Sequence, residues 1–279
     1  MPERLIVAMA TSPLISFKSI CKFKYLFISR MLASCHWPPV CPIYLEWSNR
    51  LLPRVVISAM LAVFLAACQT TGIEGEHASF TTYTPSGDGA RPAVLVLPVR
   101  GGMNAYTQEF AKRLSREGYV TAAADFFTGP LEPVYDYLQA RADVDPVRIG
   151  LVGFSKGAQY SLEMSRFWQF TKKQRPVRAV VSYYIGNGVP TARREYPPAL
   201  FLHGDLDDVT PPDSIARFCE RQREFGNVCD YHIYENTTHS FTHESLSWGT
   251  YHPENERDAY RRAVDFLNQH LAGYEVPQG

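Results

Sequence analysis

The chain has 279 residues, of which 46% are hydrophobic and 20% charged, so it can bury a full core and is not a disordered or low-complexity protein. Its 28 Lys and Arg balance 28 Asp and Glu, which removes the cationic footprint of a general nucleic-acid binder. That balance conceals a division: residues 1–68 hold seven basic residues against Glu3 and Glu46, and the remainder is net acidic.

The front end reads as an address. Residues 1–49 show only interrupted apolar patches (Leu5 to Ala8, Tyr25 to Ile28), as expected of an over-extended or unstructured N-terminus. Arg50 and Arg54 then precede the uncharged run Val55 to Ala67, short of the roughly 20 residues that a transmembrane helix needs but suited to a signal-peptide core. The run ends in Leu65-Ala66-Ala67-Cys68, which resembles the bacterial lipobox. That resemblance implies a lipoprotein signal peptide over 50–67, a diacylglyceryl anchor on Cys68 and a tether over 68–77. Gln69 behind the cysteine points to the outer membrane, facing the periplasm. The alternative is a chance apolar tetrapeptide in which Cys68 is a small hydrophobe.

From residue 78 onward, strands and helices alternate. Ser79 to Tyr83 and Ala93 to Leu97 read as strands; Tyr106, Phe110, Ala111 and Leu114 recur at helical spacing over Asn104 to Gly118. Tyr119 to Ala124 is the next strand, Leu131 to Ala142 a helix, Val147 to Val152 a continuous apolar strand and Lys156 to Trp168 another helix. Val177 to Tyr184 and Ala199 to His203 are further strands. Ile215, Phe218, Cys219 and Phe225 mark a helix opening after Pro211-Pro212-Asp213, Tyr231 to Tyr234 a strand, and Tyr260, Ala263, Val264, Leu267 and Leu271 a final helix. Apolar strands separated by amphipathic helices predict an α/β domain over 78–279, its mostly parallel sheet covered on both faces.

Chemistry concentrates where Val147 to Val152 hands over to a helix, in Gly153-Phe154-Ser155-Lys156-Gly157. A serine lifted onto a sharp strand-to-helix turn needs neighbours without side chains, and the helix N-terminus favours negative charge beside it. Its hydroxyl needs a base, and the base an orienting carboxylate. The chain supplies His203-Gly204-Asp205-Leu206-Asp207-Asp208 after one strand and Thr238-His239-Ser240-Phe241 after the next, in the Ser, Asp, His order of α/β-hydrolases. Asp205 and Asp208 compete with Asp207 as the acid, and His232, His243 and His252 with His239 as the base. His203, at a strand end, is expected to make a structural hydrogen bond.

With these motifs, the region from Ala93 to Gly279 resembles the dienelactone hydrolase family of α/β-hydrolases: the Gly153 to Gly157 turn, the His203-Gly204-x-x-Asp207 segment ending in Pro211-Pro212, and His239-x-Phe241. The resemblance implies an α/β-hydrolase fold and a triad of Ser155, Asp207 and His239. It further implies an oxyanion hole built from the backbone N–H groups of Lys156 and Arg100, with Gly101 as the alternative second donor. The founding members carry a cysteine nucleophile and a glutamate in the oxyanion loop, where this chain has Ser155 and Val99. The implied activity is hydrolysis of a small-molecule ester or lactone through an acyl-enzyme, without a cofactor. A peptidase or thioesterase with the same triad is the alternative within enzymes, and a non-catalytic envelope binding protein the alternative outside them. Phe126, Phe127, Tyr183 and Tyr184 are candidate pocket walls. No metal-binding spacing and no phosphate-cradling glycine loop occurs in the sequence. Cys219 and Cys229, the two cysteines of the body, could pair in an oxidising compartment or occupy separate core positions.

Overall fold

The computed structural model describes residues 77–171, 175–194, 196–245 and 249–271. The expected N-terminus (1–49), signal peptide (50–67), anchor Cys68 and nearly all of the tether lie outside the described residues. Seven strands form one sheet: β1 (Ser79–Tyr83), β2 (Arg91–Leu97), β3 (Val120–Asp125), β4 (Val144–Phe154), β5 (Val180–Tyr183), β6 (Ala199–Gly204) and β7 (Cys229–Tyr234). Their spatial order is β1-β3-β2-β4-β5-β6-β7. β1 runs antiparallel to β3 with Ser79 opposite Asp125. Every other pairing is parallel, from Ala93 opposite Val120 to Leu200 opposite Asp230. The expected mostly parallel sheet is what forms.

Among the described residues four helices connect strands, α1 (Ala105–Arg116), α2 (Glu132–Gln139), α3 (Lys156–Thr171) and α4 (Pro212–Glu224), and α5 (Pro253–Leu271) follows the last strand. The alternation of strand side chains assigns them to faces. Ala93, Leu95 and Leu97 of β2 join Val134 and Leu138 of α2, Leu162 and Trp168 of α3, and Ile215 and Phe218 of α4. Val94 and Val96 point the other way, into a core shared with Phe110 and Leu114 of α1 and Ala263, Leu267 and Leu271 of α5. Each buried aliphatic side chain contributes about 1.5–3 kcal/mol, so both faces are closed by burial.

Several boundaries differ from the sequence reading: β5 starts at Val180 rather than Val177, α3 runs on to Thr171, β7 starts at Cys229, and two further differences have a visible cause. β4 begins at Val144, because the strand carries an irregularity between its pairings Arg91–Val144 and Ala93–Ile149. Pro146 and the Arg148–Asp145 ion pair at 2.7 Å mask it in the sequence. α2 stops at Gln139, since Arg141 turns away to grip Asp143 at 2.6 Å instead of continuing the helix.

Candidate active site

Parallel strands deliver their carboxyl ends to one edge, and each segment that leaves this edge contributes to the site. Asn104 caps α1 by accepting from Thr107 N at 2.9 Å, which fixes where the loop after β2 enters the helix. At β4 the chain breaks into α3 through Ser155, held at φ 51°, a left-handed conformation that only a surrounding lattice of bonds can impose on a serine. Ser155 N–H donates to Tyr183 O at 3.0 Å, and Ser155 O accepts from Gly186 N–H at 3.0 Å. The turn also requires its flanking glycines: a Cβ on Gly153 would lie 2.3 Å from Gly157 O, and one on Gly157 the same distance from Pro98 O. Gly157 thus lets the loop after β2 sit directly against the start of α3.

The three predicted side chains converge. Ser155 Oγ lies 2.9 Å from His239 Nε2, and His239 Nδ1 lies 2.7 Å from Asp207 Oδ2. Since the carboxylate only accepts, His239 carries its proton on Nδ1 and presents Nε2 as acceptor to the serine hydroxyl. All three are buried, Ser155 being 6% exposed. Burial raises the Asp207 pKa, but the hydrogen bond from His239, the neighbouring His203 and the N–H of Thr210 outweigh it, and the carboxyl stays below its ordinary range. Asp207 Oδ1 accepts from Val209 N at 2.9 Å and Thr210 N at 3.0 Å, so the side chain belongs to a closed turn. Asn236 and Ser240, at φ 51° and 59°, bend the loop that carries His239.

The competitors are elsewhere. Asp205 Oδ1 accepts from Thr237 N at 3.0 Å, which ties the acid loop to the base loop, and Asp208 lies outside the triad contacts. His232 packs on Tyr234, and His243 bonds Ser245 Oγ at 2.6 Å. Lys156 opens α3, so its N–H has no acceptor within the helix, which suits it as an oxyanion donor. Arg100 and Gly101 form the turn closed by the Gly102 N–H bond to Val99 O at 3.3 Å. The side chains of the two basic residues enter a polar rim: Arg100 donates to Asn187 Oδ1 at 3.1 Å, and Lys156 to Gln159 Oε1 at 2.8 Å.

Of the expected pocket walls, Tyr183 is core: fully buried, it donates to Ala259 O of α5 at 3.0 Å. Tyr184, in a left-handed conformation at φ 32°, is buried in the same core, and its ring meets His239 edge-on at 5.2 Å. Phe126 stacks on Tyr160 at 4.7 Å, and Phe127, 52% exposed, leans on Phe126. A cavity of about 260 Å³ adjoins the base loop, lined by Tyr106, Phe110, Thr242, His243 and Tyr251 among others. Asp125 escaped the sequence reading. At the end of β3 it accepts Met103 N–H at 2.9 Å and Phe127 N–H at 3.1 Å, clamping the glycine-rich loop after β2. Its only signal was a carboxylate ending the apolar run of β3.

Residues 131–271, just over half of the chain, match the family model described as the dienelactone hydrolase family. The chain belongs to the dienelactone hydrolase family. A Bradyrhizobium relative named "Probable 2-oxo-3-(5-oxofuran-2-ylidene)propanoate lactonase" is 24% identical over 240 residues, covering 72% of this chain and 93% of its own. Among solved structures, a dienelactone hydrolase-like promiscuous phosphotriesterase from metagenomic libraries aligns with TM-score 0.57 at 18% identity, over 69% of this chain and 99% of its own. A thermophilic esterase from Thermogutta terrifontis aligns with TM-score 0.51 at 16% identity, over 74% and 97%. These structural likenesses show a shared α/β-hydrolase fold, and membership of the dienelactone hydrolase family places the chain among hydrolases.

Proposed function

We propose that this protein is a serine hydrolase of small esters or lactones, in which Ser155 attacks the carbonyl, His239 is general base and acid, and Asp207 orients His239. The observation that carries the reading is the unbroken relay from Ser155 Oγ to His239 Nε2 at 2.9 Å and from His239 Nδ1 to Asp207 Oδ2 at 2.7 Å. In the first half-reaction Ser155 Oγ bonds to the acyl carbon as its proton passes to His239 Nε2, and the leaving alcohol takes that proton as the C–O bond breaks. In the second half, water gives its proton to His239, its oxygen attacks the acyl carbon, and the proton returns to Ser155 as the acid departs. The backbone N–H groups of Lys156 and Arg100 hold the oxyanion, aided by the N-terminal dipole of α3. The names of the lactonase and esterase relatives agree with ester and lactone bonds.

The test is covalent labelling of the full-length protein with a fluorophosphonate probe, followed by hydrolysis of p-nitrophenyl esters. Wild type is expected to label on Ser155, and Ser155→Ala to lose both the label and at least about 10⁴-fold in kcat. A wild-type protein that stays unlabelled would leave the binding-protein alternative standing.

We further propose that the protein is held in the bacterial envelope by a lipid on Cys68 and faces the periplasm. The lipobox resemblance supports this, as does the disulfide between Cys219 of α4 and Cys229 of β7, with a Cα–Cα separation of 5.0 Å. Such bonds persist in oxidising compartments.

A further inference from the structure

We propose that His203 is a positioning residue of the triad, a permanently neutral imidazole that sets the orientation and the pull of Asp207; this rests on the hydrolase reading above. His203 ends β6 and is 1% exposed. Its Nε2 lies 2.9 Å from Thr210 O and 3.2 Å from Asp207 Oδ2, the oxygen that accepts the His239 Nδ1–H. A carbonyl can only accept, so the proton sits on Nε2 and is donated to Thr210.

The other ring nitrogen decides the charge. Nδ1 is buried and has no hydrogen-bond partner. Protonating it would bury an N–H with nothing to accept it, a cost that a bare lone pair avoids in part. Burial accordingly pulls the His203 pKa below its ordinary value, against the opposing pull of Asp207 and the Thr210 carbonyl. The ring is therefore a fixed dipole whose positive N–H end faces the acid.

Thr210 transmits the effect. Its carbonyl is held by His203, its hydroxyl accepts Gly188 N–H at 2.8 Å, and its own N–H donates to Asp207 Oδ1 at 3.0 Å. Removing the imidazole frees one end of the turn that grips the carboxylate. It also withdraws a positive dipole from Oδ2, so Asp207 holds the imidazolium form of His239 more tightly. The titratable groups that face this assembly are Asp207 itself, His239 after β7 and Tyr184 after β5, whose ring lies against His239. Asp205 is turned to Thr237 N. The partners of His203 are Thr210 O and Asp207 Oδ2 and it acts through the latter, which makes it a positioning rather than a catalytic residue.

The experiment compares full-length wild type, His203→Leu and His203→Gln. Gln can return an amide N–H near the place of Nε2, and Leu cannot. With p-nitrophenyl acetate, His203→Leu is expected to lose about tenfold in kcat with KM changed by less than about twofold. The acid limb of its kcat/KM profile should move to higher pH, and His203→Gln should restore both. Independently of turnover, the low-field proton resonance of His239 Nδ1–H should titrate at higher pH in the Leu variant than in wild type or Gln. Unchanged limb and resonance in a folded Leu variant, or a Gln variant as impaired as Leu, overturns the proposal. If Leu does not fold, His203→Asn, whose shorter side chain cannot place its amide N–H at the position of Nε2, takes its place in the same comparison and under the same criteria. Fluorophosphonate labelling of wild type separates the two readings, since a labelled wild type with unresponsive His203 variants sinks only the role of His203.

Discussion

At the scale of single residues, the site depends on holding protons in the right places. Asp207 is kept ionised inside the protein by the N–H groups of Val209 and Thr210 and by His239 Nδ1–H, and so His239 Nε2 faces Ser155 as an acceptor. Asp207→Asn would keep the shape while offering an amide hydrogen to Nδ1, turning the imidazole into the wrong tautomer. We expect kcat to fall about 10⁴-fold with little change in thermal stability, measured by steady-state ester hydrolysis beside a melting curve. A loss of less than tenfold would mean that Asp207 does not set the tautomer.

Among the elements, the junction of α4 and β7 is the one closed covalently. Cys219 and Cys229 are ten residues apart and form a disulfide, so the bond removes a short loop's worth of freedom from the unfolded chain. In the chain-entropy account that is about 2–3 kcal/mol. Cys229 begins β7, whereas His239 follows the strand's other end, so the crosslink and the triad sit at opposite ends of the same strand. The double variant Cys219→Ala, Cys229→Ala should melt roughly 5–10 °C lower by calorimetry and hydrolyse esters at the wild-type rate. A loss of activity without a loss of stability would contradict this division of labour.

For the whole molecule, the proposed envelope attachment is a matter of what could hold the chain at a membrane. No helix among the described residues is long and apolar enough to cross one. Attachment through Cys68 would make membrane association depend on a single thiol, because acyl chains supply the affinity. In a bacterial host, wild type should fractionate with membranes and incorporate labelled palmitate, and Cys68→Ser should do neither. The proposed anchor site precedes the hydrolase domain in sequence, so solubilised wild type should retain ester hydrolysis. Palmitate incorporation by Cys68→Ser would refute the anchor assignment.

The sequence by itself determined what depends on neighbours in the chain. Continuous apolar runs and helical spacings gave the strands, the helices and the parallel sheet, and Gly153-x-Ser155-x-Gly157 between a strand and a helix marked the candidate nucleophile. The Gly204-x-x-Asp207 and His239-x-Phe241 spacings marked its partners, because loops leaving successive parallel strands open at one edge. The tertiary structure decided whatever requires two distant segments to meet. It joined Cys219 to Cys229, buried both Tyr183 and Tyr184 in one core with the Tyr184 ring against His239, and set Asp125 against the glycine-rich loop after β2. It also placed His203 beside Asp207 with one nitrogen unpartnered. Hydrogen bonds and disulfides form over about 2–3 Å, a scale on which spacing along a chain carries no information until the backbone has folded.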